Sequence, residues 1–169
     1  MADAVYPKFK YQILNQSFTL DLNANLFVAL VETDANIGSP VDVNHNAAYD
    51  AADEFFGDVF PSLSTTAPNL ANGVIATVAL TGANTTSVTA NAIFDAANVT
   101  FSAVAGFDDG NGGGAGTGDG NALIIYANTA SAGTSRLIAW LDTSVTGLAV
   151  TPNATDINLN WSDSGIFEL

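Results

Sequence analysis

The chain has 169 residues, enough for one domain with a sizeable core, and carries three Lys or Arg against 17 Asp or Glu, a net charge of −14. Such an acidic chain cannot form the basic stripe that neutralises nucleic-acid phosphates, nor a polybasic patch for anionic membranes. Charged residues make up only 12% of the chain, so Asn, Thr, Ser, Gly and Ala must supply most of the polar surface. This composition favours a protein that packs against other subunits, because burying uncharged groups costs less than burying charge.

Cysteine is absent from the chain, which excludes disulfides and cysteine-based metal sites. The N-terminal sequence MADAVYPKFK lacks the apolar segment of a secretory signal. The longest apolar run, at 26–31, is too short to span a bilayer. We therefore expect a soluble protein that is synthesised in a cytoplasm.

Residues 1–12 are predicted to form an extended N-terminal arm, because Pro7 disfavours a helix there. The arm interleaves two of the chain's three cations with aromatic side chains: Tyr6, Lys8, Phe9, Lys10 and Tyr11. We predict that these five side chains contact a partner subunit, the lysines pairing with acidic groups and the aromatic rings serving as anchors. The alternative is an ordinary first strand with solvated lysines.

Most of the remaining chain consists of short apolar or alternating segments between clusters of Gly, Asn, Asp, Ser and Thr, a pattern typical of β-strands. The predicted strands lie at 18–22, 26–31, 73–80, 98–104, 122–127, 137–142, 145–151, 156–161 and 165–169. The nearly continuous apolar runs at 122–127 and 137–142 indicate central strands. Trp140 lies in such a run and is predicted to be core, whereas Trp161 ends an alternating strand and is expected to be partly exposed.

One segment departs from the strand pattern. Ala47, Ala51 and Phe55 recur at fourfold spacing, which predicts a short helix at about 46–56. Asp53 and Glu54 would share an exposed face of this helix. Eight or nine strands with one inserted helix predict an all-β fold, an antiparallel sandwich or barrel of jelly-roll type, as a single domain over residues 1–169.

Residues 106–120 form a glycine-rich run with three aspartates, Asp108, Asp109 and Asp119. A phosphate-binding P-loop is excluded because no lysine follows position 10, and a dinucleotide fingerprint because a strand, not a helix, follows the run. The three aspartates could supply oxygen ligands to calcium, but the complete spacing of a known calcium loop is absent. We expect an outward-facing hairpin loop between the strands at 98–104 and 122–127 that needs no metal to fold.

Catalytic candidates are few. His45 is the only histidine, and its place at the start of the predicted helix favours a capping role over a triad or a zinc site. Asp53 and Glu54 are adjacent carboxylates, but nothing indicates that they flank a cleft as in a glycoside hydrolase. Trp161 could stack on a sugar, although packing in a core or an interface is the simpler interpretation. We predict a protein that is not an enzyme and uses no cofactor.

Several phrases in a fixed order carry a resemblance to a known family: VYPKFK (5–10), FVALVET (27–33), FDAANVTFSAVAG (94–106), ALIIYANTASAGTSRLIAWLDT (122–143) and LAVTPNATDINLNWSDSGIFEL (148–169). Together they resemble a family of small structural proteins encoded among the virion genes of tailed bacteriophages, including phages of cyanobacteria. The resemblance spans nearly the whole chain and contains no catalytic motif.

This resemblance implies a cement or decoration protein that is bound to the outside of the capsid, often as a homotrimer, with the major capsid protein as its partner. A module of the tail tip or fibre that binds host surface glycans is the alternative of another class. The two differ in copy number per virion, which is high for a head protein and low for a tail protein.

Overall fold

A computed structural model describes residues 4–22, 25–32, 52–60, 73–88, 91–106, 119–142 and 145–169. Ten strands and two helices lie in these ranges. In chain order they are β1 (Ala4–Val5), α1 (Pro7–Leu14), β2 (Leu26–Val31), α2 (Phe56–Val59), β3 (Val74–Ala79), β4 (Asn84–Val88), β5 (Asn91–Asp95), β6 (Val99–Val104), β7 (Ala122–Ala127), β8 (Arg136–Leu141), β9 (Thr155–Leu159) and β10 (Phe167–Glu168). Neither helix in these ranges is long and apolar enough to cross a membrane.

The strands form three sheets, and every strand pair within them is antiparallel. The largest sheet has five strands in the order β1-β8-β7-β2-β3. A second sheet has the order β10-β5-β4, and a third pairs β6 with β9. The predicted all-β, antiparallel fold is confirmed.

The middle of the five-stranded sheet is the most deeply buried part of the protein. Residues Ala122 to Tyr126 of β7 are all buried, and β8 opposite them is buried from Leu137 to Leu141. Trp140 faces Ile124 in this ladder and is 2% exposed. These runs read as continuously apolar because both faces of the strands are covered, so the predictions of central strands and of a core Trp140 are confirmed.

All three sheets enclose one hydrophobic core. Phe94 of β5, Phe101 of β6 and Leu159 of β9 belong to the same buried cluster as β2, β7 and β8. The ring of Phe94 also stacks on Phe167 of β10, with 4.8 Å between the ring centroids. Fully burying a side chain of this kind stabilises the fold by roughly 1.5–3 kcal/mol, so the small sheets are held mainly by this shared core.

The prediction of an extended N-terminal arm is wrong. Two residues pair with β8 as β1, and the eight residues from Pro7 to Leu14 form α1. Proline restricts the residue before it, and Tyr6 is extended as expected, with φ −55° and ψ 132°. Pro7 itself occupies the first turn of the helix, where its missing N–H costs nothing and its fixed φ suits the helix.

The predicted helix at 46–56 is wrong over the residues that can be compared. Residues 46–51 lie outside the described ranges, and 52–55 are not helical: Phe55 forms an antiparallel bridge with Arg136 of β8. Helix α2 begins only at Phe56. Tertiary pairing with the edge of β8 overrides the helical spacing of the apolar residues here.

Helix α2 has only four residues, and contacts at its start hold it in place. The carboxylate of Asp58 accepts hydrogen bonds from the backbone N–H groups of Glu54 and Phe55, at 2.9 and 2.8 Å. Phe56 is fully buried and its ring lies 4.8 Å from that of Tyr126 on β7. Burial of this aromatic pair sets where the helix begins.

The strand partners also differ from the predicted hairpin across the glycine-rich run. Strand β6 pairs with β9, whereas β7 pairs with β2 and β8, so the run joins two different sheets. Residues 18–22 and 145–151 contain no strand, and only Val150 forms an isolated bridge. The hairpin of β4 and β5 was not predicted, because its first strand, NTTSV, is polar throughout apart from its last residue.

The end of the glycine-rich run belongs to the folded body. Glu32 is 2% exposed and its carboxylate accepts hydrogen bonds from the backbone N–H of Asp119 and the side-chain amide of Asn121, at 2.9 and 2.7 Å. Gly120 and Val150 exchange two backbone hydrogen bonds, at 2.8 and 2.9 Å. Residues 119 and 120, which were predicted to lie in the loop, are therefore anchored to the main sheet.

Gly120 is predicted to tolerate no side chain. A Cβ atom there would lie 2.6 Å from two carbon atoms of the Leu30 side chain, which is fully buried. We expect Gly120→Ala to lower the free energy of unfolding by about 1–3 kcal/mol in urea denaturation, the usual range for overpacking. Gly133→Ala is the matched control, because the methyl group that alanine adds there meets no atom within 4 Å. Equal stability of the two variants would contradict this account.

Candidate interaction surface

Helix α1 has one buried and one exposed face. Phe9 and Gln12 are 1% and 7% exposed and rest on the sheet. Lys10, Tyr11 and Leu14 point away from it, and the side chains of Tyr11 and Leu14 are 62% and 83% exposed. At about 100° per residue these three positions lie within a roughly 100° arc, so they form one surface, called here the α1 surface.

Two of the five predicted contact residues are core residues instead. Tyr6 is fully buried, and its backbone N–H donates to the carbonyl of Ile138 at 3.0 Å. Phe9 packs edge-on against Phe18, with 5.9 Å between the ring centroids. The prediction that Tyr6 and Phe9 contact a partner is wrong, because both side chains are buried: Tyr6 lies between β1 and α1, and the helical register turns Phe9 towards the sheet.

The helix is held in place by Arg136, the first residue of β8. Its guanidinium lies between two aromatic rings, 5.0 Å from the centroid of Phe18 and 5.0 Å from that of Phe55. Cation–π contacts stabilise by about 0.5–1 kcal/mol at exposed sites and more where the cation is desolvated. The Arg136 side chain is 21% exposed and therefore lies between these two cases.

Glu54 completes this cluster. Arg136 donates a hydrogen bond to Oε1 of Glu54 at 2.6 Å, and Gln12 of α1 donates to the same oxygen at 2.7 Å. Arg136 also donates to the side-chain oxygen of Gln12. Lys8 lies 3.6 Å from Oε2 of Glu54. The four side chains, called here the Arg136 cluster, join α1, β8 and the segment before α2.

The charges in this cluster change the acidity of Glu54. Partial burial by itself would raise the pKa of Glu54, but hydrogen bonds from Arg136 and Gln12 and the positive charges of Arg136 and Lys8 outweigh it. The net effect lowers the pKa below its ordinary value of 4.5. Lys8 thus pairs with an acid of its own chain, where it had been predicted to pair with a partner subunit.

The α1 surface keeps two of the predicted contact residues, Lys10 and Tyr11, and adds Leu14. Lys10 has no ion-pair partner among the described residues. Leu14 was missed because the predicted arm ended at residue 12; a helix starting at Pro7 would have placed it beside Lys10 and Tyr11. A cation flanked by two large exposed side chains can bind a protein surface that presents an acidic group beside apolar atoms.

The other candidate sites are not assembled by the described residues. Asp108, Asp109 and His45 lie outside those residues, whereas the carboxylate of Asp119 accepts a hydrogen bond from the Thr151 hydroxyl. No group of three or more potential metal ligands occurs within the described ranges. The proposed exposed pair of acids is also wrong, because Asp53 is 6% exposed.

Trp161 is partly buried, as predicted. Its indole N–H donates to the carbonyl of Ala97 at 3.0 Å, which fixes the plane of the ring. A pocket of about 230 Å³ lies beside it, and its polar lining includes Asn160 and Ser162. A half-buried indole beside amide and hydroxyl groups is chemically suited to a sugar ring.

Comparisons of the chain with known protein families, with characterised proteins and with solved structures found no match.

The lowered pKa of Glu54 makes a contribution to stability that depends on pH. Because the folded-state pKa lies below 4.5, the ionised carboxylate stabilises the fold above that pH, and the contribution is lost as the pH falls through the folded-state value. We expect Glu54→Gln to lower the free energy of unfolding at neutral pH, with the difference from wild type shrinking as the pH falls below 4.5 and through the folded-state pKa. Urea denaturation across this pH range measures both effects.

The exposed Asp163→Asn variant removes one carboxylate outside the cluster and controls for the change in net charge; we expect it to be as stable as wild type at neutral pH. If Glu54→Gln differed from wild type by the same amount at low and neutral pH, the ionised carboxylate would not be the source of the stability.

Proposed function

We propose that this protein is a non-enzymatic structural protein of a tailed-bacteriophage virion that binds the major capsid protein on the outside of the capsid. The observation that carries the proposal is the α1 surface, where Tyr11 and Leu14 are 62% and 83% exposed beside Lys10. The likeness of the chain's sequence phrases to small virion proteins agrees with this role. The capsid surface is the partner that would cover these side chains.

The residues of the α1 surface indicate which interactions would stabilise a contact with the capsid. Burying apolar surface contributes about 25 cal/mol per Å², and tyrosine is among the side chains that contribute most at interfaces. Lys10 adds an attraction to acidic groups in a chain whose net charge of −14 otherwise repels them. The α1 surface thus offers a cation, a tyrosine and a leucine on a helix that the Arg136 cluster joins to β8.

Binding at this surface would stabilise the shell by mass action. A protein that binds the assembled capsid and not its separated subunits shifts the equilibrium towards assembly, by about 2.7 kcal/mol per site at a concentration of 100 times Kd. We propose a homotrimer, because three copies of the α1 surface on one particle could bridge neighbouring capsid subunits.

A glycan-binding module of the tail is the second candidate, and Trp161 is the observation that favours it. Its ring borders the pocket that contains Asn160 and Ser162. Copy number in purified virions separates the two candidates. A number comparable with that of the major capsid protein supports a head protein, and a few copies per particle support a tail module.

Rebinding of the purified chain to virions that lack it tests whether α1 forms the contact. Virions that lack the chain are mixed with purified wild type or with a Tyr11→Ser, Leu14→Ser double variant, and binding is measured by co-sedimentation. We expect the double variant to bind at least about tenfold more weakly, the effect of losing 1.4 kcal/mol. The temperature of DNA release should rise with wild type and not with the double variant.

Leu169→Ser is the matched control, since Leu169 is the other large exposed hydrophobic residue of the described chain, at 40%, and lies far from α1 in sequence. This variant should bind as wild type does. Undiminished binding of the double variant would refute the α1 contact, and equal DNA-release temperatures with and without the wild-type chain would refute the stabilising role.

A further inference from the structure

The pocket beside Trp161 combines buried apolar residues with exposed polar groups. Leu141 and Val145, which line it, are buried in the hydrophobic core. Asn160 and Ser162 also line it, and both are exposed. A ligand that fits this lining has an apolar face to set against the core side and polar groups to set against the rim.

The position of Trp161 is fixed by the segment that precedes β6. Its backbone N–H donates to the side-chain oxygen of Asn98 at 2.9 Å, and its indole N–H donates to the carbonyl of Ala97 at 3.0 Å. These two hydrogen bonds set the orientation of the ring before any ligand arrives. Binding would therefore cost little side-chain entropy at this residue.

The turn that follows Trp161 is also held in place. The backbone N–H of Gly165 donates to the carbonyl of Ser162 at 2.9 Å, and that of Ile166 donates to the carbonyl of Phe94 on β5 at 2.8 Å. Gly165 has a φ of 92°, and a Cβ atom there would lie 2.2 Å from a side chain of β5. Only glycine allows the turn to approach β5 so closely, so both the ring and the turn are preorganised.

The polar groups of the rim can form further hydrogen bonds. Oγ of Ser162 accepts from the backbone N–H of Ser164 at 3.1 Å, and its O–H hydrogen has no acceptor among the described residues. The side-chain amide of Asn160 forms no hydrogen bond within the described part of the chain. A hydroxyl and an amide can each donate and accept, which matches the hydroxyl groups of a sugar.

Positive charge is not available to this pocket. The chain has three cations, Lys8, Lys10 and Arg136, which lie on α1 and at the first residue of β8. Leu141, which lines the pocket, is the last residue of β8 and lies about 16 Å from Arg136 at 3.3 Å per residue. None of the seven lining residues is charged. An anionic ligand would therefore find no partner here, in a chain with a net charge of −14.

The size of the pocket limits the ligand further. Its volume is about 230 Å³, whereas pockets for drug-sized ligands enclose roughly 300–1,000 Å³. One sugar ring is therefore a better match to this volume than several linked rings.

We propose that this pocket binds an uncharged pyranose ring at the end of a glycan chain. The C–H face of the ring packs on the Trp161 indole, and its hydroxyl groups bond to Asn160 and Ser162. The inference rests on the glycan-binding role described above as the second candidate function, and it narrows the ligand to a terminal, uncharged sugar. Many copies of such a weak site on one particle would act together through avidity.

The indole N–H signals provide the readout, because the chain has only two tryptophans. Isotopically labelled protein is titrated with methyl glucopyranoside, galactopyranoside and mannopyranoside in two-dimensional NMR spectra, and a Trp161→Phe variant assigns the two signals. We expect the Trp161 signal to shift with at least one of these sugars. The Kd should be on the order of 1 mM, as is usual for a ligand of about a dozen non-hydrogen atoms. The signal of buried Trp140 should not move.

Asn160→Ala removes the rim amide at an exposed position and leaves the apolar lining intact. We expect it to weaken sugar binding about threefold or more, the effect of losing one hydrogen bond. Asn158→Ala is the matched control, because Asn158 is an exposed asparagine outside this pocket whose side chain already accepts from the Thr100 hydroxyl at 2.7 Å. This variant should bind as wild type does. Glycerol, a polyol without a ring, should shift neither indole signal.

No shift of the Trp161 signal with any sugar, charged or uncharged, overturns this inference together with the glycan-binding role of the pocket. Equal or tighter binding of methyl glucuronide or a sialoside overturns the uncharged class alone and leaves glycan binding in place. Unchanged affinity of Asn160→Ala overturns the assignment of the rim. Capsid binding is measured separately by co-sedimentation, so the virion role can fail or hold independently of these results.

Discussion

The placement of α1 depends on the contacts of a single arginine. Arg136 begins β8, stacks between Phe18 and Phe55, and donates to Glu54 at 2.6 Å. These contacts join three parts of the chain that share no sheet: the N-terminal helix with the turn after it, the segment before α2, and the end of a central strand. Arginine suits this position because its planar guanidinium can stack on rings and donate in fixed directions at once. Without it, α1 would keep its apolar contacts with the sheet and the contacts of Gln12 and Lys8 with Glu54, but Glu54 would lose its hydrogen bond to β8.

The small number of positive charges limits the ion pairs that the chain can form. Of three cations in the chain, Arg136 and Lys8 neutralise one acid, Glu54, so that Lys10 alone among them has no acidic partner within the described residues. The described part of the chain therefore has little positive charge left for ion pairs with another protein.

The sequence predicted those strands that a continuous run of apolar residues identifies without knowledge of their neighbours. The strands at 26–31 and 122–127 were found because continuous apolar runs indicate buried strands whatever lies beside them. Strand partners were not predictable in this way, since β6 pairs with β9 from more than fifty residues away. In the N-terminal segment the sequence did not predict which side chains are exposed: Lys10 and Tyr11 are exposed, whereas Phe9, between Lys8 and Lys10, is buried. Only the helix that begins at Pro7 separates these side chains into two faces.

Hydrogen exchange of the Arg136→Lys variant tests most directly whether this arginine holds α1 to the sheet. Lysine keeps the positive charge but cannot stack between two rings or donate in the same directions. The informative amides are those of Lys10 and Asn15, which donate to the carbonyls of Tyr6 and Tyr11 at 3.1 and 3.0 Å at the two ends of α1, and those of the central strand β7. We expect exchange in α1 to accelerate by about tenfold or more, with β7 protected nearly as in wild type. Unchanged protection of α1 would contradict the central role of Arg136, and equal acceleration in α1 and β7 would mean that it stabilises the whole fold and not the helix.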